Sequence, residues 1–303
     1  MGKGWTHGFG SFLALCALSV LAAAVAQAAN TAKEQLSKLT EKDFLKLQNQ
    51  ALRGDAGAQA ALGVAYEEGL HVQQDLAAAI TWYSKAAEQG NAEVQHHLGL
   101  LYDEGRGVLR NFAEAADWYR KAAALGYAPA QCNLGNLYRD GRGVPRDFDQ
   151  AAKWYEVAAR QGDAQAQSNL GYLYEHGEGV LHDDSQAVFW YRKAAEQGFG
   201  IAQRNLGVMY TLGQGVEANE AEAIRWFEKA AAQGLSRAFV NEAILYMQGA
   251  HTPRDYRMAY KLLMQAVASG EQAAGPLIKQ CREYLDRGNA AATETATASH
   301  VAR

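Results

Sequence analysis

The stretch from Asp55 to Gly90 reads DAGAQAALGVAYEEGLHVQQDLAAAITWYSKAAEQG, and it carries two apolar stripes in succession. In the first half, Leu62 and Tyr66 stand four apart with Gly63 between them. In the second half, Ala79, Trp82, Tyr83 and Ala86 stand at i, i+3, i+4 and i+7. Both spacings gather apolar side chains on one face of an α-helix. The segment between the stripes is polar, and its later copies read Gly105-Arg106-Gly107-Val108 and Gly141-Arg142-Gly143-Val144. Glycines there admit the positive φ that a chain reversal needs. Asp75 then stands where a cap for the second helix belongs. The unit is predicted to be helix, turn, helix.

The chain repeats this unit at 36-residue intervals. Trp82, Trp118, Trp154, Trp190 and Trp226 keep register, as do Tyr66, Tyr102, Tyr138, Tyr174, Tyr210 and Tyr246. The capping position recurs as Asn111, Asp147, Asp183, Asn219 and Asp255. A fixed period of this length predicts a stacked array of repeats across 55–270, in which each repeat touches only its neighbours. The tryptophans are expected to form the repeat core by filling the space between units. The sixth unit drifts: Leu262 stands for Trp, Ala243 for Gly, and His251 for the second turn glycine. Terminal repeats are commonly atypical.

The flanks read as caps. Residues 29–54 form a polar lead-in and one helix, with Thr40 as N-cap, Glu41 and Asp43 in the first turn, and Leu39 and Phe44 placed as a hydrophobic staple. Residues 271–288 form a closing helix opened by Pro276. Residues 289–303 are polar, rich in Ala and Thr and without pattern, and are expected to be disordered.

Composition changes the picture in two places. The formal net charge of −4 gives no basic excess, so nucleic acid is not an expected partner. Residues 1–28 combine Lys3, an apolar run from Phe12 to Ala26, and small residues that offer cleavage after Ala26 or Ala28. This is the pattern of a signal peptide. The run is shorter than the ~20 residues that a spanning helix needs. The mature chain is therefore expected in the periplasm or outside the cell, with no stable membrane insertion. It would retain Cys132 and Cys281, which lie too far apart along such an array to bond to each other.

The repeat resembles the Sel-one-like repeat (SLR) family, a branch of the tetratricopeptide-like α-solenoids. The resemblance rests on A-x-x-x-L-G-x-x-Y-x-x-G-x-G-V, an Asp or Asn, then A-x-x-W-Y-x-K-A-A-x-x-G, in five near-complete copies over about 55–270. It implies an all-α fold: a right-handed superhelix of about six helix-turn-helix repeats with capping helices, its concave face lined by the first helices. Members mostly serve as adaptors in protein complexes, many in the bacterial envelope. One secreted branch, the Helicobacter cysteine-rich proteins, carries a disulfide in each repeat and has been credited with β-lactamase activity. This chain lacks that paired-cysteine pattern.

No catalytic constellation emerges. A serine β-lactamase needs a Lys one helical turn after its Ser; no serine here has one, and there is no KTG. His96 and His97 are adjacent and diverge on a helix, which makes a poor metal pair. His176 and His182 flank a turn near Asp183 and Asp184 that reads as solvated. No enzyme activity, metal or cofactor is expected.

Variation between units lies at first-helix positions beside the Leu/Gly/Tyr core. The candidate protein-binding residues are His96, Asp103, Asn136, Arg139, Ser168, Tyr172, Glu175, Arg204 and Val208, with Cys132 in the same row. The row runs from acidic through mixed to apolar, which suits a partner segment with basic residues at one end and apolar ones at the other. Asn133, Asn169, Asn205 and Asn241 also recur. They serve either as an amide ladder for a bound backbone or as bonds to the neighbouring unit's backbone. The reading is an exported scaffold or adaptor that binds another protein. Its rivals are a β-lactam-binding enzyme and a secreted effector with a host target.

Overall fold

The computed structural model describes residues 33–249 and 254–287. The leader, the expected tail at 289–303 and His251 in the sixth turn lie outside the described residues. All described regular structure is helical. After a helical stretch at 33–37 comes α1 (Glu41–Leu52), and then six pairs follow. They are α2 (Ala56–Glu68) with α3 (Leu76–Glu88), α4 (Ala92–Glu104) with α5 (Phe112–Ala124), and α6 (Ala128–Asp140) with α7 (Phe148–Arg160). Next are α8 (Ala164–His176) with α9 (Asp184–Glu196), α10 (Gly200–Leu212) with α11 (Glu220–Ala232), and α12 (Ser236–Gln248) with α13 (Tyr256–Ala268). A 3-10 turn at Gln272–Ala274 leads into a helical stretch at 275–287. The pairs repeat as an α-solenoid.

The chain divides into two compact units. Among the described residues, one holds 33–173 with Gly177–Leu181; the other holds Tyr174–His176, 182–249 and 254–287.

Local chemistry places the helix ends. Thr40 accepts from the Asp43 amide, and Phe44 is buried with Leu39 packed against its cluster. Asp75, Asn111, Asp147, Asp183, Asn219 and Asp255 all cap the second helices through their side chains. In the first repeat, the place of the second turn glycine falls to His71, at φ 61. Its ring stacks on Phe44 and its Nε2 lies 2.9 Å from the Leu36 carbonyl oxygen, so two contacts hold a conformation that L residues disfavour.

The tryptophans pack between units, Trp118 in the cluster of the preceding repeat and Trp82 against Phe44 and Leu62, but the deepest side chain is the aromatic just after each tryptophan: Tyr119, Tyr155, Tyr191 and Phe227 are among the largest fully buried side chains. Trp118 and Trp190 are 7% exposed, while Trp82, Trp154 and Trp226 are only half-buried. Trp82, Trp118 and Trp154 share clusters with Leu62, Leu98 and Leu134, and Trp82, Trp118 and Trp226 lend a face to a lysine. Lys121 Nζ sits 3.7 Å from the Trp118 ring centre, and Lys85 Nζ 4.3 Å from that of Trp82. The tyrosine wins the interior because the first helix offers it a glycine. A Cβ on Gly99 would come 2.5 Å from Tyr119 Cε1, and one on Gly135 would come 2.6 Å from Tyr155 Cε1. In the sixth repeat both sides change together, to Ala243 and Leu263.

A second periodic feature also belongs to the frame. Gln59, Gln95, Gln131, Gln167 and Gln203 are buried, and each donates from Nε2 to an Ala carbonyl at the end of the preceding second helix, at 2.8–3.1 Å. Carbonyls there have no partner inside their own helix. Cys132 and Cys281 are both buried free thiols.

Candidate functional site

In the unit that runs to Leu173, successive first helices are linked edge to edge by side chains. Asn133 Nδ2 lies 3.0 Å from His96 Nε2, and Asn169 Nδ2 donates to Asn136 Oδ1 at 3.0 Å. Asn133 and Asn169 thus bond side chains of the preceding repeat.

Glu67 and Asp103, near the ends of their first helices, are bound within the fold. Glu67 is buried and accepts from Tyr83 Oη at 2.7 Å, His97 Nε2 at 2.9 Å and Arg106 Nη2 at 2.9 Å. Burial alone would lift its pKa; the bonds and charge from His97, Tyr83 and Arg106 outweigh that and hold it at about 2. One repeat later, Tyr119 Oη donates to Asp103 at 3.4 Å, and Arg142 Nη1 stands 3.7 Å from the same carboxylate. Burial raises the Asp103 pKa against the pull of Arg142. In both places the buried phenol supplies the reason, because its hydroxyl needs an acceptor on the first helix. In the third repeat the acceptor is Asn136, at 2.7 Å from Tyr155 Oη. Arg139 turns to Asp140, with Nε at 2.8 Å from Oδ1.

Two of the expected binding residues are interior. His96 is 2% exposed between Tyr119 and Tyr127, and burial drives its pKa down to about 3, which keeps the ring neutral. Ser168 is 3% exposed. Cys132 is fully buried, and burial pushes its thiol up, beside Asp163. These three occupy one repeat position, buried in the second to fourth repeats; its occupant in the fifth repeat, Arg204, is half-buried. Asp103, Asn136, Arg139 and Tyr172 are half-buried on the same unit's first helices.

In the unit from His182 on, Tyr191 Oη donates to Glu175 at 2.6 Å. Glu175 is therefore also a partner for a buried phenol. Where Phe227 replaces the tyrosine, the matching first-helix residue is Thr211, whose hydroxyl turns to its own Gly207 carbonyl at 2.9 Å. Arg204 and Val208 are half-buried. Arg204 Nε is enclosed and has no hydrogen-bond partner within the protein. Burial and the neighbouring Arg237 charge lower its pKa. His182 is exposed, near the Tyr174 carbonyl and Asp184.

Among the described residues, no group of three His, Cys, Asp or Glu side chains converges as a metal site would, and no helix is long and apolar enough to cross a membrane. The glutamine row was legible in the sequence as a strict 36-residue recurrence next to the asparagines, but a polar recurrence gives no sign of being buried until the helix ends it serves are in place.

No curated protein sequence matches the chain. A solved structure of a protective antigen present in uropathogenic Escherichia coli strains, described as displaying an SLR fold, is 38% identical over 76% of this chain, with a TM-score of 0.71. This chain spans 50% of that protein's length. A Sel1 repeat protein from Oxalobacter formigenes is 33% identical over 78% of this chain and 96% of its own, with a TM-score of 0.68. The Sel1 repeat itself matches at 56–91, 92–127, 128–163, 164–199, 200–235 and 243–271, the last only from Ala243 onward. With six matched repeats spanning well over half its length, the chain belongs to the Sel1 repeat family, whose members generally serve as protein-interaction scaffolds.

Proposed function

We propose that the protein is an exported scaffold of the bacterial periplasm or cell envelope, and that its first-helix faces hold a segment of another protein. Arg204 carries this reading. A guanidinium whose Nε has no partner within the fold, set beside a second arginine, is suited to a carboxylate brought by the partner. The half-buried positions around it on α10, among them Val208, supply apolar contact. In the other unit the acidic residues are already matched by Arg106, Arg142 and the buried phenols. The expected acidic docking end is thereby replaced by a basic anchor. The resemblance to a protective antigen agrees with an exported location.

Site-specific photo-cross-linkers at Val208 and Asn136, compared with one at Glu156 on α7, would test this in the native envelope fraction. A partner captured through Val208 and lost in Arg204→Glu, with melting unchanged, supports the reading. Capture that is indifferent to Arg204, or equal from Glu156, overturns it. The mature chain recovered from that fraction should begin at Gln27 or Ala29. No chemistry is assigned to the fold; turnover of a chromogenic cephalosporin would overturn that assignment in favour of the enzyme reading.

A further inference from the structure

In the first three repeats, a buried Leu on the first helix and the Trp of the second pack together beside the preceding second helix. Leu62 with Trp82, and Leu98 with Trp118, share clusters in this way. The sixth repeat breaks both members of the pair. Glu242 stands where the other repeats have Leu62, Leu98, Leu134, Leu170 and Leu206, and Leu262 stands where they have Trp. The result is an open cleft of about 320 Å³ between α11 and α13, floored by α12.

Its walls are the apolar side chains of Ala231, Phe239, Met258 and Leu262, with Glu228 at one side. Glu242 lines the cleft, 4% exposed, and among the described residues no hydrogen bond reaches its carboxyl group. Lys261 is on the α13 wall, outside ion-pairing distance of either carboxylate. An acid in place of a core leucine is costly unless something compensates for it. Burial and the like charge of Glu228 lift the Glu242 pKa to about 7, so the chain alone does not compensate for it.

We infer that this cleft accepts the side chain of a lysine or arginine from a partner protein, the aliphatic stem lying on Phe239, Met258 and Leu262 and the cationic head meeting Glu242 and Glu228. The missing indole leaves room for a long, narrow side chain. A buried carboxylate with a second, exposed one at the rim favours a cation over a neutral group of the same shape. The site lies between second helices and is independent of the Arg204 face.

The test is a titration of the full mature chain, labelled at its methionine methyl groups, with the blocked peptides Gly-Lys-Gly and Gly-Arg-Gly, beside Gly-norleucine-Gly as the uncharged control. The Met258 methyl resonance should shift saturably with the cationic peptides, and about tenfold more weakly with norleucine. Glu242→Leu and Leu262→Trp put back the residues that other repeats carry, so both variants should fold; each should abolish the shift while raising or preserving the melting temperature. No shift at Met258, equal binding of norleucine, or undiminished binding by folded Glu242→Leu would overturn the proposal.

Discussion

The ring of Tyr119 occupies the place where a side chain on Gly99 would be: an added Cβ would lie 2.5 Å from Cε1. First and second helices of a repeat therefore approach at one aromatic-on-glycine contact, and the two positions are coupled. The sixth repeat shows the alternative solution, Ala243 against Leu263. Gly99→Ala should gain up to about 1 kcal/mol of helix propensity and lose more to overpacking, for a net destabilisation of about 2 kcal/mol. Combined with Tyr119→Leu, it should cost at least about 1 kcal/mol less than the sum of the single changes. Urea unfolding of the four proteins measures this; strict additivity would contradict it.

The tryptophans mark the repeat in the sequence, yet the residue after each one should matter more to stability. Tyr155 is fully buried and anchored to Asn136, whereas Trp154 is half-buried. Tyr155→Ala should destabilise by about 3–5 kcal/mol, and Trp154→Ala by about half that or less. Equal losses on thermal melting would return the dominant role to tryptophan.

One substitution should stabilise the chain. Gln89, Gln161 and Gln233 donate to the side-chain oxygens of Gln59, Gln131 and Gln203. At the corresponding place in the second repeat stands Leu125, 56% exposed, and Gln95 Oε1 is buried without a partner. Leu125→Gln should supply the missing donor and add about 1 kcal/mol. The gain should vanish in a Gln95→Leu background, which a comparison of unfolding midpoints reads directly.

Two buried glutamates should tilt the pH dependence of stability in opposite directions. The folded pKa of Glu67, about 2, lies below the ordinary 4.5. Its contribution is present above pH 4.5 and is lost as pH falls toward 2. Glu67→Gln should remove on the order of 2 kcal/mol at neutral pH and flatten the acid limb. The folded pKa of Glu242, about 7, lies above 4.5, with Glu228 as the charge facing it. Its contribution is full below pH 4.5 and is lost as pH rises through 7. Glu242→Gln should therefore stabilise the chain at pH 8 and not at pH 4, by on the order of 1–2 kcal/mol, since the cleft is open to water. Calorimetric melts at both pH values would decide; a uniform shift across pH would contradict the assignment.

The interaction reading has its own signature. Arg204→Ala removes a guanidinium whose Nε has no partner in the fold, so stability should change by less than about 1 kcal/mol while partner binding falls. A large drop in melting temperature would instead make Arg204 a structural residue.

Helices, caps, turn glycines and the count of repeats were legible in the chain alone, because each depends on neighbours within one 36-residue unit and the unit recurs. Asp75 and its copies cap where a capping residue must, and Gly105 and Gly107 take positive φ where the chain reverses. What periodicity does not encode is direction across the packed interface. His96, Ser168 and Cys132 vary between repeats as exposed residues do, but they are buried, because small or neutral side chains of different chemistry fill the same interior position. Asp103 and Glu175 have the look of free surface acids, yet buried phenols sixteen residues downstream use them as acceptors. That demand arises only when two helices pack and the ring displaces water from its hydroxyl. The order of the repeats was thus set by local spacing along the chain. Which polar groups are consumed by the fold, and which, like Arg204 Nε and the Glu242 carboxyl group, are enclosed without a hydrogen bond among the described residues, was decided only by the packing of one helix against the next.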